Sequence, residues 1–122
     1  MDKKVLIVDD SNTNNFLLQS ILEMEGIQSH IAMNGKEAFK YLEAKKPSLI
    51  LLDIMMPNLD GFSVLEKIKQ NSEISEVPVV FVTAKNDENL KKKVIEAGAK
   101  DLIQKPIDVN KVIDIVKQLI TN

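Results

Sequence analysis

Three aspartates stand where apolar runs of this sequence stop. Val5-Leu6-Ile7-Val8 breaks into Asp9 and Asp10, and Leu49-Ile50-Leu51-Leu52 breaks into Asp53. Two further runs, Val79 to Val82 and Leu102 to Gln104, end in groups that attract negative charge: Thr83 in one case, Lys105 followed by Pro106 in the other. Carboxylates crowded into one place repel, so either some bind protons or a cation neutralises them. Setting Lys105 against Asp9, Asp10 and Asp53 leaves two negative charges, which matches a divalent ion. An all-oxygen ligand set selects Mg²⁺ or Mn²⁺ over zinc. An aspartate held beside such an ion, a hydroxyl and an ammonium is arranged as a nucleophile toward phosphorus, because each neighbour meets negative charge on the transferred oxygens.

These residues are far apart in the chain, so the chemistry requires elements that bring the ends of the runs together. The sequence alternates between short β-branched runs and longer segments of helical spacing. Val5–Val8, Ser29–Ala32, Leu49–Leu52, Val79–Val82 and Leu102–Gln104 read as strands, each followed by a helix. The expected apolar faces are Leu17, Ile21 and Met24 in the first helix, Ala38, Tyr41 and Leu42 in the second, and Val64, Leu65 and Ile68 in the third. They are Leu90, Val94 and Ile95 in the fourth, and Val109, Val112, Ile113, Val116 and Ile120 in the fifth. Asp60, Asp87 and Asp108 stand where helices should begin; Gly26 and Gly98 stand where two should end. The first, third and fourth strands are nearly continuous apolar runs, as in a parallel sheet covered on both faces, while Ser29–Ala32 is weaker and has the character of an edge strand. Alternating βα units with right-handed crossovers imply a three-layer α/β sandwich, whose loops after the strands gather at the carboxyl edge of the sheet.

Composition narrows the function. At 122 residues there is room for one domain, and 44% apolar with 28% charged residues is ordinary globular usage. Absence of Cys excludes disulfides, thiolate metal sites and thiol nucleophiles. No export-type apolar segment follows Met1 and the apolar runs are strand-sized, so a cytoplasmic protein with no membrane partner is expected. Sixteen Lys against 18 acidic residues, no Arg and five aromatics argue against direct nucleic-acid binding.

With these residues in place the whole sequence resembles the receiver domain of bacterial two-component response regulators, the single-domain chemotaxis regulators included. The matching pieces are Val8-Asp9-Asp10, Leu52-Asp53-Ile54-Met55-Met56-Pro57 with Asp60-Gly61 behind it, Val82-Thr83-Ala84, and Lys105-Pro106 before the last helix. The resemblance implies a flavodoxin-like (βα)5 fold whose parallel sheet has the strand order 2-1-3-4-5. It implies that Asp53 accepts a phosphoryl group from the phosphohistidine of a sensor histidine kinase or phosphotransfer protein. Mg²⁺ would be bound by Asp10, Asp53 and the Met55 carbonyl, with Asp9 acting through water, while Thr83 and Lys105 grip the phosphoryl oxygens. It also implies a cis Lys105-Pro106 peptide, and a partner surface for an output domain or target protein on the fourth helix, fifth strand and fifth helix. Residues 1–122 are then one receiver domain, standing alone or belonging to a longer response regulator or hybrid kinase. The resemblance implies a regulatory phosphoacceptor whose only catalysis is its own phosphorylation and slow dephosphorylation.

Three departures stand out. Leu102 occupies a position where the family often carries Tyr or Phe as a switch rotamer. Met55 and Lys85 occupy positions that tune hydrolysis in the family, and neither would orient an attacking water, so a long-lived phosphoryl group is expected. Plainer roles compete at several places: helix capping for the Asp9-Asp10 pair with Ser11, a structural or surface role for His30, a wet helix face for Lys91-Lys92-Lys93, and loop or core filling for Met55 and Met56. Among other functions, a haloacid-dehalogenase-type phosphatase lacks its second acid, since position 55 is Met. A flavin-binding protein lacks its phosphate loop. An unphosphorylated docking scaffold is disfavoured by the complete acid, Thr and Lys set.

Overall fold

The computed structural model describes residues 4–56, 59–84 and 87–120. Five βα units appear in the expected order: β1 (Lys4–Val8), α1 (Asn12–Met24), β2 (Gln28–Ala32), α2 (Gly35–Ala44) and β3 (Leu49–Asp53). A two-residue ladder of β4 (Met55–Met56) and β5 (Leu59–Asp60) precedes α3 (Gly61–Gln70), and β6 (Val79–Thr83), α4 (Glu88–Glu96), β7 (Asp101–Gln104) and α5 (Val109–Ile120) complete the chain. The five long strands form one parallel sheet in the order β2-β1-β3-β6-β7. Leaving out the short ladder, this is the flavodoxin-like order 2-1-3-4-5, with the weakly apolar β2 at an edge.

Side chains alternate across each strand, and that alternation builds two cores. Leu6, Val8, Ile50, Leu52, Val79 and Phe81 face α2, α3 and α4, whereas Val5, Ile7, Leu49, Leu51, Val80, Val82 and Ile103 face α1 and α5. In α3 the buried face is the one read from the sequence; in α2 Ala38 and Leu42 are buried as read and Tyr41 is half-buried against the same core. Three helices are turned differently. In α1 the buried residues are Asn15, Leu18, Ile21 and Leu22, while Leu17 and Met24 are exposed; in α5 Ile115 is buried and Val109 exposed; in α4 Ile95 is exposed. Apolar residues at adjacent positions, such as Leu17-Leu18 and Ile21-Leu22, offer two stripes at similar helical spacing. Contact with the sheet then decides which one is buried.

The helix ends hold this arrangement. Asp60, Asp87 and Asp108 accept hydrogen bonds from Phe62, Asn89 and Asn110 N–H respectively, satisfying donors in the first turns of α3, α4 and α5. Gly26 and Gly98, at φ +73° and +111°, end α1 and α4 in paired 5→2 and 6→1 hydrogen bonds, a left-handed turn that a residue with a Cβ resists. Among the described residues no helix is long and apolar enough to cross a membrane.

Candidate functional site

The ladders finish almost level, and that convergence builds the site. Val8 pairs with Leu52, so Asp9 and Asp53 leave the sheet side by side; Asp53 pairs with Val82 and Thr83 with Gln104, which sets Thr83 and Lys105 on the same rim. Backbone bonds extend the ladder past the strands: Asp9 N–H donates to the Ala32 carbonyl at 3.1 Å, and Lys105 N–H to the Thr83 carbonyl at 2.7 Å.

Asp9, Asp10 and Asp53 come together, each offering an oxygen within 4.8 Å of the others. Asp9 and Asp53 are 2% and 6% exposed, and Asp10 is open to solvent. Lys105 reaches in from the far strand, its Nζ 3.5 Å from Asp9 Oδ2 and 3.9 Å from Asp53 Oδ1. Asp9 also acts locally, since its Oδ1 accepts the Ser11 N–H at 2.9 Å, while Ser11 caps α1 through the Asn14 N–H. The plainer role read for the acidic pair, support of the start of α1 together with Ser11, is thus present at Asp9. Thr83 is 1% exposed.

Burial raises the Asp53 pKa to about 6, and the neighbouring Asp9 carboxylate pushes the same way; Lys105 and the Met55 N–H, which donates to Asp53 Oδ1 at 3.3 Å, only partly oppose them. Three carboxylates facing one ammonium leave a pocket that a hard divalent cation suits better than a proton does. The donor set, all oxygen, fits Mg²⁺ or Mn²⁺.

Several expected positions resolve individually. The Lys105-Pro106 peptide is cis. Met55 is exposed beside the pocket and Met56 is core. Leu102 is half-buried against the core under α2, α3 and α4. His30 lies away from the rim, level with Leu6 midway along edge strand β2, stacked on Tyr41 with ring centroids 4.4 Å apart. Lys91, Lys92 and Lys93 are exposed on α4, and Lys91 lies 3.7 Å from Asp101. Pro57 and Lys85 lie outside the described residues. Sequence reading overlooked Asn15, a buried amide on α1 whose Nδ2 donates to the Asp9 carbonyl at 2.8 Å. Its signal was a polar residue three and seven positions ahead of Leu18 and Leu22.

The sequence pattern of the response regulator receiver domain matches residues 5–117. The chain belongs to that family. As a receiver domain of two-component systems it is a regulatory signalling module, and phosphoacceptor function follows from the family. Receiver domains bind Mg²⁺ at an acidic pocket and work with histidine kinases and output domains. This receiver is 39% identical over 120 residues to the alkaline phosphatase synthesis transcriptional regulatory protein PhoP of Bacillus subtilis, covering 98% of this chain and 49% of PhoP. It is 38% identical over 105 residues to protein PilH of Pseudomonas aeruginosa, covering 86% of this chain and 87% of PilH. It thus spans about half the length of one curated relative and most of the other. The receiver domain of Francisella response regulator 1452 superposes with a TM-score of 0.90 at 28% identity, covering 98% of each chain.

Proposed function

We propose that Asp53 is the phosphoacceptor of this receiver and that Asp9, Asp10, Thr83 and Lys105 are its working partners. The observation that carries this reading is the meeting of three carboxylates within 4.8 Å of one another, beside the ammonium of Lys105, which lies 96 residues after Asp9 just past the end of β7. Asp10, Asp53 and the Met55 backbone carbonyl would hold Mg²⁺ or Mn²⁺, with Asp9 acting through water. The bound cation supplies charge neutralisation among the carboxylates and on the transferred oxygens.

The chain's own groups then do the following. Asp53, ionised, attacks phosphorus of a phosphohistidine on a sensor histidine kinase or phosphotransfer protein. An O–P bond forms as the P–N bond breaks, and the imidazole leaves with the proton already on its other ring nitrogen. Lys105 and the Thr83 hydroxyl take up charge on the phosphoryl oxygens. Their attraction toward the new acyl phosphate biases the β6–α4 and β7 segments, which changes the surface of α4, β7 and α5 seen by an output domain or target protein. Leu102 leaves that surface without an aromatic toggle, so the bias runs through Thr83 and α4. Residues 1–122 form one receiver domain acting in the cytoplasm, alone or as part of a longer response regulator or hybrid kinase.

Intact-mass measurement after incubation with acetyl phosphate and Mg²⁺ tests the assignment. One added phosphoryl mass is expected, absent in Asp53→Asn and without metal, and its decay should be slow because Met55 offers no group to orient water. Labelling that persists in Asp53→Asn refutes the acceptor. Sustained release of inorganic phosphate from small organic phosphates would point instead to a phosphatase.

A further inference from the structure

Asn15 lies near the start of α1 and is 2% exposed, on the stripe that Leu18 and Leu22 continue into the core. Its Nδ2 donates to the Asp9 carbonyl at 2.8 Å and to Met33 Sδ at 3.3 Å, while its Oδ1 is buried with no hydrogen-bond partner among the described residues. Turning the amide over would set two acceptors face to face, so the carbonyl of Asp9 dictates the orientation. An unmet buried acceptor opposes folding, and a leucine on this stripe would avoid it.

What the amide achieves is local and specific. The carbonyl it holds belongs to the peptide joining Asp9 to Asp10, and the plane of that peptide sets the directions in which both residues leave the backbone. Asp9 is further restrained by its N–H bond to Ala32 and by Ser11, whereas Asp10 is exposed and depends on that plane. We propose that Asn15 is a positioning residue for the divalent-cation pocket, holding the Asp9–Asp10 peptide so that the Asp10 carboxylate meets those of Asp9 and Asp53. This role rests on the reading of the pocket as a Mg²⁺ site. Groups that orient ligands without touching the metal commonly change metal affinity by one to two orders of magnitude.

Asn15→Leu is close in volume; it removes the unmet Oδ1 and takes away the donor to the Asp9 carbonyl, which then turns toward water and carries Asp10 away. The metal-free melting temperature is expected to stay within about 2 °C of wild type, because removing the unmet Oδ1 offsets the lost hydrogen bond to the Asp9 carbonyl, while the Mg²⁺ dissociation constant rises about tenfold. Mg²⁺ titration followed by backbone amide shifts, with melting in EDTA, reads both. A wild-type protein that binds no Mg²⁺ overturns the metal-site reading and this role with it. A wild type that binds and a variant that binds equally well overturn the role of Asn15 alone, whatever the melting temperature. A measurement on the wild type stands even if the variant does not fold: the Asn15 side-chain amide protons should exchange slowly and shift on adding Mg²⁺. Exchange as fast as that of exposed Asn12, with no response to Mg²⁺, also overturns the role.

Discussion

Asp53 carries an electrostatic cost in the metal-free state, since burial and the Asp9 carboxylate raise its pKa from 3.8 to about 6. Between those values the folded protein holds a proton on Asp53 that the unfolded chain has released, so this group makes stability fall as pH rises from about 4 to about 6, and the loss persists above that window. Asp53→Asn removes the charge. In EDTA at pH 7 the variant is therefore expected to be more stable than wild type by an amount of order 2 kcal/mol. Thermal melts at a series of pH values should show the difference shrinking as pH falls toward 4. A variant that is less stable at neutral pH, or a gap independent of pH, would mean that Asp53 is better solvated than its surroundings indicate. In the proposed phosphoacceptor role the same imbalance would favour reaction, because an ionised, poorly solvated carboxylate is a stronger nucleophile than one fully hydrated.

At the scale of elements, the junction between β3 and α3 leaves no room for a side chain. Gly61 opens α3, and its N–H donates to the Ile54 carbonyl at 3.0 Å. A Cβ there would lie 2.9 Å from the Ile54 Cα, 3.0 Å from Phe81 Cε1 and 3.1 Å from the Asp53 carbonyl oxygen. Two of those three neighbours are backbone and cannot move aside without shifting the strand end that carries Asp53. Gly61→Ala should cost about 1–3 kcal/mol, read as a lower urea midpoint with an unchanged slope. The backbone displacement should also weaken phosphorylation of Asp53. An unaffected midpoint would mean that α3 can slide away from β3 freely. Asp60, one residue earlier, was legible as a cap from its type and place, but the need for a bare Cα beside it was not, because it arises from the approach of β3 and β6 to the helix start.

For the molecule as a whole, the proposed metal site would link cation binding to folding, because only the folded chain gathers the three carboxylates. Mg²⁺ should raise the melting temperature in proportion to the logarithm of its concentration above the dissociation constant, by the equivalent of about 2.7 kcal/mol at a hundredfold excess. EDTA should abolish the gain, and Asp53→Asn should blunt it; a melting temperature indifferent to Mg²⁺ would contradict the pocket. The sequence by itself determined the five βα units, their caps at Asp60, Asp87 and Asp108, the glycine stops at Gly26 and Gly98, and the rim residues Asp9, Asp10, Asp53, Thr83 and Lys105. Each of these depends on local pattern: apolar period, chain reversal, or the residue type at a strand end. Only the tertiary structure decided which stripe of α1, α4 and α5 turns inward, and that Asn15 is buried against the Asp9 carbonyl. Helical spacing leaves the rotation of a helix about its axis open when apolar residues stand side by side. Packing against the sheet closes it, and with it the choice of which polar group lies beneath the site.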